Sequence, residues 1–250
     1  MVRCSLRAAA LALSLLASSA AAAEAGDVRL ELEAGAVWFS RNDVRIPGDT
    51  GTKFDIREAT GRGPDPYGRV RLEWQVAERH ALRLTWAPLE VEGTGNLEGD
   101  VAFAGADFSG ASPVEGSWRF DSWRGTYRWT FHEGARWTWG VGGTVLVRDA
   151  RVALAQGAVR ADDQDIGVVP LLHLRGERRL GAHTALVLDL DGAAAPQGRA
   201  IDAALLLRRD WASGWQLAAG WRTLEGGGDT DDVYTFAWQH YAVLTLGRRF

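Results

Sequence analysis

The chain has 250 residues, a formal net charge of −4 and a single cysteine, Cys4. The acidic balance excludes a nucleic-acid footprint, and one cysteine excludes a disulfide framework. No apolar run after residue 23 is long enough to cross a bilayer as a helix, so a membrane crossing would have to be made by strands.

The N-terminus reads as a secretory leader. Arg3 and Arg7 form a basic region, Ala8 to Leu16 an apolar one, and Ala21-Ala22-Ala23 an A-x-A site with cleavage before Glu24. Cys4 precedes the apolar stretch, whereas a lipid-modified cysteine would follow it. Residues 1–23 are therefore expected to be a signal peptide and 24–250 one domain without cysteine.

That domain is a succession of period-two segments, the mark of strands with two different faces. Val28–Ser40 alternates Leu30, Leu32 and Trp38 with Arg29, Glu31 and Glu33. After a polar stretch (41–66), Tyr67–Ala77 sets Leu72 and Trp74 against Arg69, Arg71 and Glu73. His80–Glu92 sets Leu82, Leu84 and Trp86 against Arg83 and Thr85. A second long stretch (93–115) leads to Trp118–Phe131, with Trp123, Tyr127 and Trp129 opposed to Arg124 and Arg128. Arg136–Arg148 follows, extendable to Leu154. Asp165–Arg178 sets Leu172 and Leu174 against His173, Arg175 and Glu177, and its Pro170 predicts a bulge. His183–Ala194 opposes Leu186, Leu188 and Leu190 to Asp189 and Asp191. Ala200–Arg209 opposes Leu205 and Leu207 to Asp202 and Arg208, and Trp215–Thr223 opposes Trp221 to Arg222. Val233–Phe250 is the tenth segment. Losing the first segment or splitting residues 88–106 would give eight or twelve.

The connections sort into two kinds. Tight turns near residues 78, 133, 181 and 212 alternate with variable stretches at 41–66, 93–115, 156–163, 195–199 and 225–232. Ten of the 12 tryptophans sort with them. Trp74, Trp129, Trp137, Trp211, Trp215 and Phe250 lie toward the short turns, and Trp38, Trp86, Trp123, Trp221 and Trp238 toward the long connections. Trp123 and Trp129, six residues apart on one face, are separated by about 20 Å of strand. The expectation is two aromatic girdles, carried by Trp74, Trp86, Trp123, Trp129, Trp137, Trp215, Trp221 and Phe250, flanking an apolar band.

The last segment alternates Ala242, Leu244, Leu246 and Phe250 with Tyr241, Thr245 and Gly247, and stops on the aromatic. It resembles the closing strand of bacterial outer-membrane β-barrels, with one departure: Arg248 stands on the apolar face. The resemblance implies an all-β fold, a transmembrane antiparallel up-and-down barrel of ten strands. It also implies residence in the bacterial outer membrane, contact with outer-membrane lipid and lipopolysaccharide, and recognition of the closing strand by the barrel-insertion machinery. A monomer is expected, with no nucleic acid among its partners.

With the apolar face toward lipid, the polar face lines a lumen: Arg69, Arg71, Glu73, Arg83, Arg124, Arg128, Arg148, Arg175, Glu177, Asp202, Arg208 and Arg222. Small barrels fill their interior with side chains, which favours a non-enzymatic barrel, structural or at most a narrow passive channel with an arginine-rich wall. The alternative is an outer-membrane hydrolase. Omptins resemble this barrel in size and topology and use acids with an Asp–His couple. Here the weak catalytic candidates are His173, Asp189 and Asp191, expected near the outer rim. A lipid-modifying site with His and Ser two apart is not found. Loop-based binding through 41–66 and 93–115 is the third reading. No metal-ligand spacing and no cofactor motif occurs.

Overall fold

A computed structural model describes residues 27–250; the expected leader lies outside them. The wall is a closed antiparallel sheet. Its strands are β1 (Val28–Arg45), β3 (Asp65–Ala77), β4 (His80–Ala87) continued after Pro88 by β5 (Glu90–Gly95), β8 (Val114–Glu133), β9 (Trp137–Gln156), β10 (Val159–Arg179), β11 (Thr184–Ala195), β12 (Gly198–Asp210), β13 (Trp215–Asp229) and β14 (Tyr234–Arg249). β4 and β5 lie end to end along β8, so the wall counts ten strands, as the alternation predicts. β14 pairs with β1 along its whole length and closes the sheet. Closure leaves no open edge within lipid, which a bilayer core would not tolerate.

The stagger follows from the register. Ladder partners traced around the wall from Val28 pass Trp74, Leu82, Tyr127, Gly143, Leu172, Gly192, Ile201, Glu225 and Trp238 and arrive at Arg41, not Val28. The path thus climbs thirteen residues of β1, one of them absorbed by a bulge between Phe39 and Arg41. Ten strands about 4.8 Å apart, with a climb of about 40 Å, give a tilt of about 40°.

The apolar face of every strand points outward. Leu84, Val145, Leu172, Leu205 and Leu244 are each at least half exposed. On this face Gly176 lies opposite Trp139, whose indole occupies the place of a Cβ, the nearest ring atom being 2.5 Å from where one would sit. The polar face points inward and is buried.

Two long stretches depart from expectation. Residues 41–66 and 93–115 do not stand out in solvent. β1 continues to Arg45, and the chain then turns inward through β2 (Phe54–Asp55) and a single helical turn, α1 (Arg57–Thr60). Within the second stretch, β6 (Val101–Phe103) and β7 (Ala106–Phe108) form a hairpin. Together they bury Ile46, Phe54, Ile56, Leu97, Phe103 and Phe108 against Phe39, Val91, Trp118 and Leu154. Apolar residues that repeat without facing lipid have only this place to go, so the mouth carries a second, apolar core.

Three other stretches are shorter than expected. Residues 156–163 are a tight turn at Gly157 (φ +60) between long strands, 195–199 is a tight turn between β11 and β12, and most of 225–232 belongs to β13. Pro170 makes no bulge. The β9–β10 register runs through it unbroken, because its missing N–H lies where the ladder to β11 has already ended. Bulges occur instead at Phe39/Arg41, Gln75/Ala77 and Thr130/His132.

Candidate functional site

The inward side chains form layers. Nearest the short turns, Arg128 donates to both oxygens of Glu73 (2.9 and 3.1 Å), and Arg208 to both oxygens of Glu177 (2.8 and 2.6 Å). Arg175 reaches across to Asp189 at 2.8 Å.

The next layer is continuous. Glu33, with no side-chain exposure, accepts from Arg71, from Arg222 at 3.2 Å and from the Tyr67 hydroxyl at 3.2 Å. Arg222 also holds Asp202 at 2.7 Å, and Asp202 receives Arg124 at 2.7 Å and Arg69 at 3.4 Å. Arg124 reaches Asp191 at 3.2 Å, which in turn accepts from Thr144 at 2.8 Å. Arg83 donates twice to Asp189, at 2.6 and 3.2 Å. Planar guanidiniums suit this role because each presents several donors in a fixed fork. The alternation of strands that puts leucine on lipid puts these charges together.

Above the ions, Tyr67 and Tyr241 meet edge to face at 4.7 Å, and the Tyr241 hydroxyl donates to Gln239. Above them sits the apolar core, with Phe103 against Phe54 at 5.8 Å and against Phe108 at 6.5 Å.

Of the residues expected to line a lumen, Arg69, Arg71, Glu73, Arg83, Arg124, Arg128, Arg175, Glu177, Asp202, Arg208 and Arg222 belong to these layers. They fill the interior and pair across it. Arg148 stands apart, higher in the wall, where it pairs with Asp165. Six of the expected girdle residues, Trp74, Trp86, Trp123, Trp129, Trp137 and Trp221, lie on the outer face with 37–44% exposure. Trp215 and Phe250 flank Arg248.

The weak catalytic candidates come together, but not where a substrate can reach them. His173 faces Asp191 directly across the β10–β11 ladder. Its Nδ1 lies 2.8 Å from Asp191 Oδ1, its side chain has no exposure, and its Nε2 has no partner among the described residues. Its neighbour Leu172 is on the lipid-facing belt at 76% exposure, so the trio sits within the spanning wall and not at the outer rim. The ligand atoms of His173, Asp189 and Asp191 lie within 4.8 Å of one another. Both carboxylates are already held by Arg83, Arg175 and Arg124, so a metal ion would have to displace guanidiniums and settle among their charges.

Sequence reasoning missed the apolar core. Its signal was present in Val101-Ala102-Phe103 and Ala106-Asp107-Phe108, two alternating triplets around Ala104-Gly105, where both residues adopt positive φ. The acidic run at 225–232 is also partly engaged: Arg199 holds Glu225 at 2.7 Å and Arg45 holds Asp229 at 3.8 Å. Outside the wall, β5, β8, β9 and β10 frame an open groove of about 500 Å³ lined by Glu92, Glu115, Arg151, Arg160 and Asp162.

No family model and no curated protein matches the chain. Among solved structures it is similar to the outer membrane protease OmpT from Escherichia coli (TM-score 0.49, 8% identity, 90% of this chain and 97% of that one). It is also similar to Ail, the attachment invasion locus protein of Yersinia pestis (TM-score 0.41, 7% identity, 90% and 99%). A third is an outer membrane channel from Pseudomonas putida F1 (TM-score 0.42, 10% identity, 90% and 96%). Similarity at this level is no guide to activity. The chain's own wall decides the architecture: closed, tilted by about 40°, apolar outside and ionic inside. It is a ten-stranded transmembrane β-barrel of the outer-membrane type.

Proposed function

We propose that the protein is a non-enzymatic outer-membrane barrel with a closed lumen, serving as a rigid structural element that carries an extracellular wall. One observation supports this above all: the interior is occupied from the short-turn end upward by paired charges, then by Tyr67 and Tyr241, then by the apolar core around Phe103. Little room is left for a permeating ion. Buried charges on one side of a strand and lipid on the other hold the barrel in one shape. In this reading the partners are the lipids and lipopolysaccharide around the belt, and the insertion machinery that reads β14.

Planar-bilayer recording tests it. The refolded protein is expected to be silent across the physiological voltage range. Discrete, anion-selective steps from heat-modifiable, correctly folded protein would instead support the narrow channel. The hydrolase reading has less support, because His173 and Asp191 are buried. The binding reading moves from the loops, which are folded inward, to the tall wall.

A further inference from the structure

β9 pairs with β10 along its full length, from Gln156↔Val159 to Trp137↔Arg178. β11 pairs with β10 only from Leu172 downward. Above that point, the other edge of β10 carries no strand among the described residues. β10 has 21 residues and β11 only 12, so the β11–β12 hairpin stops low and leaves a notch beside the tall wall.

The direction of the free groups follows from two hydrogen bonds at the base. Arg179 donates its amide to Arg136, on the β9 side, and Leu180 donates to Thr184, on the β11 side. The β9–β10 register is unbroken, so every even-numbered residue of β10 turns its N–H and C=O toward the β11 side. The free edge therefore presents the amides of Arg160, Asp162, Gln164, Ile166 and Val168. Pro170, the next even position, has no N–H, and there the ladder to β11 ends. Val168 is joined through Val147 to Trp123 of the outer girdle, and the climb of the ladder carries it outward of that tryptophan, so the edge above it is outside the lipid.

Free edges in native proteins are normally blunted, often by lysine. This one carries three acids, Asp162, Asp163 and Asp165, against one base, Arg160 at its outer end. Asp163 and Asp165 share the inner face, and Asp162 lies on the outer face with Ile166, which is 67% exposed. Asp165 is paired with Arg148 and Asp162 with Arg151, whereas Asp163 has no ion-pair partner among the described residues. Burial, helped by repulsion from Asp165 and Asp162, holds the Asp163 carboxyl above its ordinary range. An incoming cation would relieve that repulsion.

We propose that the edge of β10 from Arg160 to Ile166 is a strand-addition site for an extended cationic peptide segment. Its basic residues lie along the face of Asp163 and Asp165, and its apolar residues along the face of Ile166. Backbone pairing supplies the affinity and the alternating side chains the selectivity. A second copy of this chain is a poorer occupant. Two barrels in one membrane run their β10 strands in the same direction, and tilts of about 40° cross them instead of aligning them. The inference is independent of the closed lumen, since a conducting barrel would keep the same edge.

The test uses the whole protein in zwitterionic nanodiscs, with empty discs as blank, and two fluorescent nine-residue peptides, one alternating Lys and Val, the other Glu and Val. The Lys–Val peptide is expected to bind the wild type and the Glu–Val peptide not to. Gln164→Pro removes a free-edge amide without touching the ladder to β9 and is expected to abolish binding. Asp163→Asn with Asp165→Asn is expected to weaken it about tenfold. Amide exchange at residues 160, 162, 164 and 166 of the wild type is expected to slow in the complex, a readout that does not depend on any variant folding. Equal binding by heat-modifiable Gln164→Pro, unchanged exchange with peptide bound, or no binding to the wild type overturns the proposal. A dimer in sedimentation that Gln164→Pro dissociates also overturns it, by assigning the edge to a second copy.

Discussion

The guanidinium of Arg248 lies 5.1 Å from the centre of the Trp215 ring and 5.2 Å from that of Phe250. Arg248 breaks the apolar stripe of β14, yet it is not stranded in lipid. It sits at the short-turn rim between two rings whose negative faces accept a cation. Replacing it with alanine removes both cation–ring attractions and is expected to cost about 0.5–1 kcal/mol for each ring. Arg248→Glu is expected to cost more, because it offers the rings an anion. Urea titration of vesicle-folded protein, followed by tryptophan fluorescence, measures both.

Glu33 is the acid on which the upper ionic layer depends, since Arg71, Arg222 and Tyr67 all donate to it. Glu33→Ala leaves buried guanidiniums without their partner and is expected to destabilise the barrel by about 3–5 kcal/mol. The same titration should show a lower midpoint, with the folded form still migrating ahead of the boiled form on a detergent gel. An unchanged midpoint would mean that water enters and the interior is not packed.

His173 and Asp189 separate structure from catalysis. His173→Ala removes one buried hydrogen bond to Asp191 and is expected to cost about 1–3 kcal/mol. Asp189→Ala frees Arg83 and Arg175 and is expected to cost about 3–5 kcal/mol. Neither is expected to alter hydrolysis of peptide or lipid substrates by folded protein. Hydrolysis by the wild type that His173→Ala abolishes at equal folded yield would restore the enzyme reading.

The apolar core at the mouth is expected to unfold separately from the wall. Phe103→Ala removes a fully buried ring and is expected to cost about 3–5 kcal/mol locally. Residues 96–113 should then become sensitive to added protease while the spanning strands stay protected. Simultaneous loss of heat-modifiable migration would show instead that core and wall fold as one unit.

Glu58 ties α1 to the second stretch by accepting the Glu98 amide at 2.9 Å. Burial is the main influence on its carboxyl and raises its pKa. A raised carboxyl binds its proton more tightly in the folded state, so its contribution is fully present below the unfolded pKa and is lost as pH rises through the folded one. Proteolysis of the core at the mouth is therefore expected to quicken with rising pH across the carboxylate range, and Glu58→Gln to flatten that dependence.

Much of this architecture was legible in the chain. Ten alternating segments, short turns on one side and tryptophans at both strand ends required a closed, lipid-facing wall, because a side chain's face in a strand follows from its position in the sequence. The inward set from Arg69 to Arg222 was legible for the same reason. Which charge meets which was not: Arg83 finds Asp189 across 106 residues, and Arg222 finds Glu33 across 189. The apolar triplets ending in Phe103 and Phe108 looked like part of a polar loop, because Phe54, whose ring meets Phe103, and the rest of the core that encloses them lie on other strands.

Sequence alone determined the alternation, hence the two faces and the membrane belt. These are local consequences of a two-residue repeat. Tertiary structure alone decided the rest. The pairing of β4 and β5 end to end along β8 settled ten strands over eight or twelve. Closure with a thirteen-residue climb sets which inward charges share a layer, and folding of the long stretches into the mouth fills it. The unequal lengths of β10 and β11 open an edge above Pro170. Each of these depends on distances between residues far apart in the chain, and the repeat of any one strand carries no information about them.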